Sequence, residues 1–269
     1  TYHRAEHIFK KKADSSFEKV EIRKRPGTVG ICAAIMNHYK VDAVPHLICG
    51  GFTVRETEDA LIDLYFLGID NVLVLRGDAA KNETFFEPEP EGHKYAIDLL
   101  KQTVNLNNGI YLEESIRNGF RTNFCIGVAG YPEKHFESPN ASTDMLYLKA
   151  KVDAGAEYIV TQMFFDNQKY FEFVKSCRDN GIDVPVIPGL KPISSIKQLT
   201  VLPRTFHVDI PTDLSTEILK CKTDADVELV GTEWLKQQSV ELKKAGVPVL
   251  HYYTLGKPWM IENVVKEIM

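Results

Sequence analysis

Long apolar runs are missing from this chain of 269 residues. Stretches such as Asn71-Val72-Leu73-Val74-Leu75 stop far short of the ~20 consecutive apolar residues that a bilayer span requires, so no membrane association is expected. No run of Lys and Arg is interleaved with aromatics, and the formal net charge is -5. A nucleic-acid partner therefore has no electrostatic footprint, and Lys10-Lys11-Lys12 with Arg23-Lys24-Arg25 reads as a solvated face. The five cysteines, Cys32, Cys49, Cys125, Cys177 and Cys221, lack the paired spacing of a zinc site or a C-x-x-C redox motif. They suit a reducing cytoplasm. The start of the chain lacks the charged-then-apolar pattern of a signal peptide. Neither G-x-G-x-x-G nor G-x-x-x-x-G-K-[ST] occurs, which argues against a Rossmann turn or a P-loop. His3-Arg4-Ala5-Glu6-His7 fits H-x-x-E-H, but spacing marks no third ligand, so no metal is expected.

What is present is a rhythm. Apolar residues make up 44% and charged residues 26%, enough to bury a substantial core, and one large α/β domain spanning 1–269 accommodates the whole chain. Short β-branched apolar runs, each followed by turn residues and an amphipathic stretch of helical length, are the signature of βα units around a parallel sheet. Six strands are expected: 43–49, 71–75, 124–129, 158–162, 184–187 and 247–252. Thr53-x-x-Glu56 is a capping box ahead of a helix with Leu61, Leu64 and Tyr65 on one face and Gly68 as its stop. Asp166-Asn167 opens a second such helix, carrying Tyr170, Phe171 and Phe173 and ending at Gly181, while Gly155 and Gly246 close helices ahead of strands. Residues 29–39 are expected to form a helix whose preceding strand lies at or before Thr1. The segments 105–122 and 202–226 break the rhythm and read as surface elaborations. The expected fold is a (β/α)₈ barrel with an N-terminal βα unit absent from this chain, since a full barrel of this kind has eight strands.

In such a barrel the C-terminal strand ends carry the site. The polar residues there are Pro45-His46, Arg76-Gly77-Asp78, Gly130-Tyr131-Pro132-Glu133-Lys134-His135, Thr161-Gln162 and His251-Tyr252-Tyr253-Thr254. Taken singly, His46 fits a hydrogen-bonded core histidine, Asp78 a turn or cap, and Gln162 a partner for backbone groups.

Together, the strings Val74-Leu75-Arg76-Gly77-Asp78, Val128-Ala129-Gly130-Tyr131-Pro132-Glu133, Lys149 to Ala156, Thr161-Gln162-Met163-Phe164-Phe165-Asp166 and His251-Tyr252-Tyr253-Thr254-Leu255 resemble the methylenetetrahydrofolate reductases. The resemblance runs from Thr1 to Met269, more loosely over 101–124 and 202–241. It implies FAD held by Thr1, Tyr2, His46, Arg76, Gly77, Asp78, Tyr95, Ala96, Ala129, Tyr131, His135, Asp144 and Lys151. Arg76, His135 and Lys151 could donate to the pyrophosphate or ribose, and Asp144 and Lys151, seven apart, share a helix face. Asp78 and Gln162 are the implied catalytic residues: Asp78 lies near the flavin ring and stabilises positive charge on a folate iminium, and Gln162 reads the pterin. Asp78, Gln162, Gln198, Tyr253 and Lys257 are the implied folate contacts. Lys257 stands where the family usually has Arg, so a point charge replaces a bidentate fork.

The implied reaction carries hydride from NADH or NADPH through FAD to 5,10-methylenetetrahydrofolate, giving 5-methyltetrahydrofolate in a cytoplasmic homo-oligomer. The family's proton donor is a glutamate in a first-strand motif such as Phe-Glu-Phe-Phe-Pro-Pro. No such string occurs in this chain, and its expected place is upstream of Thr1. No regulatory domain is expected within the chain. Two other readings suit the same residues: a flavin-free folate or pterin enzyme on the same fold, and a non-catalytic paralogue that lost the acid.

Overall fold

The computed structural model describes residues 6–22, 26–79 and 85–268. The order of elements is β1 (Glu6–Lys11), β2 (Phe17–Ile22), α1 (Thr28–Tyr39), β3 (His46–Ile48), α2 (Val54–Phe66), β4 (Asn71–Leu75), α3 (Ala96–Asn107), β5 (Cys125–Gly130), α4 (Ala141–Asp153), β6 (Tyr158–Met163), α5 (Asn167–Asp179), β7 (Val186–Leu190), α6 (Gln198–Phe206), α7 (Thr212–Lys220), α8 (Asp224–Lys244), β8 (His251–Tyr252) and α9 (Pro258–Ile268). The six strands from β3 onward are parallel neighbours in chain order, as repeated right-handed βα winding requires. Contacts divide the chain into two compact units, Thr1–Val128 with Asp153–Glu157 and Ala129–Val152 with Tyr158–Met269.

The first unit opens on a hairpin that the sequence did not announce. β1 and β2 pair antiparallel, Phe9 opposite Lys19 and Lys11 opposite Phe17, and Lys10, Lys11 and Lys12 are exposed, as a solvated face should be. The strand expected at or before Thr1 lies outside the described residues. β3, β4 and β5 then pair in parallel, His46 opposite Leu73 and Leu73 opposite Gly127. Leu47, Val72, Leu73, Val74, Ile126 and Val128 are all buried, which is why these strands read as unbroken apolar runs rather than alternating ones.

α2 carries the expected capping box. Glu56 N donates to Thr53 Oγ1 at 3.2 Å, and Thr53 N donates back to Glu56 Oε2 at 2.8 Å. Its Leu61 and Leu64 are fully buried, and Tyr65 meets Phe124 edge-on at 6.2 Å. The irregular segment after α3 is pinned by one amide: Asn107 Oδ1 accepts from Thr122 Oγ1 and Phe124 N, and its Nδ2 donates to Phe124 O.

In the second unit, β6, β7 and β8 are adjacent, with Ile159 opposite Val186 and Gly189 opposite His251. α5 begins at Asp166, whose side chain accepts from Gln168 N at 2.9 Å. β7 runs three residues further than expected and β8 is confined to His251–Tyr252. The lost start of β8 includes the exposed Val249, whose apolar character suggested a strand that burial does not support.

One expectation needs correction. Residues 202–226 are not a surface elaboration, because α6, α7 and the start of α8 bring Leu202, Val208, Leu214, Ile218 and Val227 into one buried cluster with Met163, Phe165 and Ile193. The period-3.6 placement of Leu214 and Ile218 on α7 was the signal, hidden by the shortness of that helix. Leu214→Ala should therefore cost about 2–5 kcal/mol, read from the urea midpoint at unchanged m-value. A loss near zero would return this segment to the surface.

Candidate active site

In the first unit the chemistry gathers where β3 and β4 end. Arg76 O accepts from Cys49 N at 3.1 Å and Gly50 N at 3.3 Å, tying the two strand ends together. The Arg76 guanidinium lies 5.0 Å over the Phe86 ring. Gly77 takes φ 87°, a turn that leaves Asp78 exposed just beyond the strand. The Cys49 thiol reports this neighbourhood: burial pushes it up to about 12, with Asp98 raising it further and Arg76 opposing. Asp98 accepts from Tyr95 N at 3.1 Å, so Tyr95 and Ala96, at the start of α3, stand beside the strand ends that carry Arg76. His46 opens β3 and is half-buried. Thr1 and Tyr2 lie outside the described residues.

In the second unit, α4 faces the loop that follows β5. Asp144 accepts from His135 N at 3.0 Å and from Ser138 Oγ at 2.8 Å, fixing the loop to the first turn of the helix. Two turns on, Lys151 Nζ donates to Ala129 O at 2.8 Å. Asp144 and Lys151 thus share a face, as their spacing predicted, and with Ala129, Tyr131, Lys134 and Phe173 they line a cleft of about 180 Å³. Desolvation pushes Lys151 down to about 8, with Asp144 opposing. The His135 ring meets Tyr131 at 4.6 Å and 76°. Glu137 N donates to His135 Nδ1 at 3.3 Å, so the neutral ring carries its proton on Nε2. Lys134, at φ 77°, donates from Nζ to the carbonyls of His135, Phe136 and Ser138.

Gln162 sits at a register shift between Val160 and Met163. A bulge of this kind re-aims side chains, and Gln162 Oε1 turns back to accept from Met163 N at 2.9 Å. Beside it the buried Thr161 accepts from Gly189 N through Oγ1 at 2.8 Å, and Thr161 O accepts from Tyr253 OH at 2.9 Å. A Cβ on Gly189 would lie 2.3 Å from Thr161 O, so only glycine lets these strands approach so closely. Burial pushes Tyr253 up to about 12. Lys257 Nζ pairs with Glu228 at 2.5 Å, and Glu228 also accepts from Trp259 Nε1 at 3.2 Å.

The family model for methylenetetrahydrofolate reductase matches residues 19–269. The chain belongs to the methylenetetrahydrofolate reductase family. It is 34% identical over 238 residues to the 5,10-methylenetetrahydrofolate reductase of Salmonella typhimurium, covering 88% of this chain and 73% of that protein. It is 32% identical over 243 residues to methylenetetrahydrofolate reductase 1 of Schizosaccharomyces pombe, covering 90% of this chain and 37% of that one. With methylenetetrahydrofolate reductase (NADH) 1 of Arabidopsis thaliana it shares 33% over 239 residues, covering 85% and 38%. The chain therefore spans a little over a third of the length of these eukaryotic relatives. Among solved structures, an uncharacterised Clostridium thermocellum protein that binds two copies of 5-methyl-5,6,7,8-tetrahydrofolic acid aligns at a TM-score of 0.53 with 17% identity, over 88% of this chain and 78% of that one. It shares the fold.

Two residues of this reductase-family chain had no assigned role in the sequence reading. Glu133 lies within the Tyr131-to-His135 string. Burial pushes its carboxyl up to about 7, Asp209 N donates to Oε2 at 3.1 Å, and Oε1 is buried with no partner among the described residues. A carboxyl that titrates there can give or take a proton at neutral pH. Lys191 ends just past β7 and is buried. The apolar run it follows gave no hint that a cation would be enclosed.

The depressed Lys151 makes a pH prediction. Its folded value lies below that of the unfolded chain, so between about 8 and the ordinary lysine range the unfolded state binds the extra proton and stability from this group rises with pH. In the ligand-free protein the stability difference between wild type and Lys151→Met should shift in favour of wild type from pH 7 to pH 10. A pH-independent difference in urea titrations would show that Lys151 is solvated.

Proposed function

We propose that this chain performs the chemistry of its family: reduction of 5,10-methylenetetrahydrofolate to 5-methyltetrahydrofolate with NADH or NADPH, through a bound FAD. The observation that carries this reading is that Ala129, Tyr131, Asp144 and Lys151, four of the residues implied to hold the flavin, line one cleft at the end of a parallel strand. Its donor set fits the group. Lys151 spends one N–H on Ala129 O and keeps two with its charge for a phosphate or ribose oxygen. When bound, FAD supplies a two-electron relay between nicotinamide and folate.

The chain's own residues supply binding, orientation and charge. Arg76, Gly77, Tyr95, Ala96 and His46 are read as cofactor contacts in the first unit, and His135 as one in the second. Asp78, an exposed carboxylate at a strand end, is read as the group that stabilises positive charge on the substrate iminium. Gln162, its oxygen engaged by Met163 N, offers N–H groups to a pterin acceptor, and Gln198, Tyr253 and Lys257 are read as further folate contacts. The same proposal takes 1–269 as one catalytic barrel domain of a cytoplasmic homo-oligomer.

The test is anaerobic and uses the full-length protein. Bound flavin should bleach with NADH or NADPH and recover its colour on adding 5,10-methylenetetrahydrofolate. Asp78→Asn should slow the recovery by about 10²-fold while the bleaching rate stays within a few-fold of wild type. A colourless protein that still binds folate would favour the flavin-free alternative. Equal recovery rates would remove Asp78 from its role.

A further inference from the structure

The loop after β5 has attachments besides those to α4 and to itself. Two contacts join it to the link between α6 and α7. Asp209 N donates to Glu133 Oε2 at 3.1 Å, and the Phe136 ring stacks on His207 at 4.4 Å and 19°. Residues 133 and 136 thus meet 209 and 207 in opposite chain sense, so the loop lies along the link instead of touching it at one point. His207 ends α6 at φ 54°, a left-handed conformation uncommon for a side chain of this size. Phe136 remains half exposed, so its stack is the weaker attachment and the bond at Glu133 the firmer one.

The attachment is continuous with the cleft. Tyr131 lines the cleft and meets His135 at 4.6 Å, His135 meets Phe136 at 4.9 Å, and Phe136 meets His207. Packed rings of this kind pass a displacement on to their neighbours. Where the link holds the loop therefore decides where the Tyr131 ring stands.

Glu133 serves this anchor unevenly with its two oxygens. Oε2 has the Asp209 N–H, while Oε1 is buried with no partner among the described residues. A carboxylate here would carry charge that neither solvent nor a donor answers. A neutral carboxyl keeps its carbonyl oxygen on Asp209 N and avoids that cost. The surrounding charges are mixed. From the link the Asp209 carboxylate opposes ionisation, and from α5 Lys169 favours it while Asp166 opposes it. Lys169 is itself shared with Asp209 at 3.8 Å, and Lys134 on the same loop is committed to carbonyls.

We propose that Glu133 is a positioning residue for the cofactor: as a neutral carboxyl it anchors the loop after β5 to the α6–α7 link and so holds Tyr131 in the orientation that a bound flavin meets. The assignment rests on the flavin reading above and extends it to a residue that acts through its neighbours. Burial raises this carboxyl to about 7, with the Asp209 N–H opposing. The folded protein keeps a proton that the unfolded chain has already lost, so stability from this group falls between the ordinary glutamate range and about 7 and is level above it. The anchor is firm below that pH and loosened above it.

Two readouts on the full-length protein test this at pH 6 and pH 8.5. One is amide-exchange protection of residues 131–138 without added ligand, corrected for intrinsic exchange; the other is the rate of FAD release, followed by flavin fluorescence. In wild type, loop opening and FAD release should both rise about tenfold at the higher pH, as a shift of one pKa unit or more allows. Glu133→Gln, neutral at both values, should keep both slow and nearly level. Glu133→Ala should speed release at both, and Phe136→Ala, which leaves the carboxyl in place, should speed it while preserving the pH response. His135 and His207 are common to wild type and Glu133→Gln, so the difference between these two isolates the carboxyl. A wild-type pH response in Glu133→Gln overturns the assignment, as does loop opening that changes with no change in FAD release; both leave the flavin reading intact. Full-length protein that takes up no FAD overturns the flavin reading and the assignment with it.

Discussion

The second unit depends on one close approach. Thr161, Gly189 and Tyr253 come from β6, β7 and the residue after β8, and two hydrogen bonds of 2.8 and 2.9 Å hold them against each other. Space for this exists only because position 189 has no Cβ. Thr161 spends its hydroxyl and its carbonyl on neighbouring strands at the point where the β6 register shifts, so the ladder is interrupted without leaving the buried polar groups unanswered. The neighbours of these three residues inherit fixed positions. Gln162 follows Thr161, Lys191 follows Leu190, and Lys257 lies four residues past Tyr253.

The same unit holds two lysines whose hydrogen bonds go to neutral oxygens. Lys151 and Lys191 both meet carbonyl oxygens rather than carboxylates, and burial lowers both. Two of the ion pairs in this protein look different: Lys175 with Asp179 and Lys266 with Glu262 are exposed, one helical turn apart and opposite in sign, and such pairs add little stability. Cations held in apolar surroundings by neutral oxygens are an arrangement that folding alone does not favour, and an anionic ligand would relieve it.

The sequence made the βα rhythm legible because β4 to β7 are buried on both faces and several helices are punctuated. Thr53, Asp166, Gly68, Gly155, Gly181 and Gly246 all do what their types suggested. It failed where local pattern and tertiary context diverge. The β1–β2 hairpin was obscured by the basic run at Lys10-Lys11-Lys12, and α7 was too short to show its period although Leu214 and Ile218 are deeply buried. Site residues were named mainly through family resemblance. Of these, Asp144 and Lys151 also had a physical signal, their spacing on one helix. Lys191 had none, because an enclosed lysine contradicts the composition rules by which a core is recognised, and the partners that make it interpretable, Gln198 and Ser194, become neighbours only through the turn after β7.

Lys134 shows how such a site stays ready. By giving its three donors to the carbonyls of His135, Phe136 and Ser138, it closes the loop after β5 on itself, while Asp144 fastens the same loop to α4. The conformational entropy of that loop is surrendered when the chain folds rather than when a ligand arrives. Whatever enters the cleft meets a surface already shaped, and its binding free energy is spent on contacts instead of on ordering the protein.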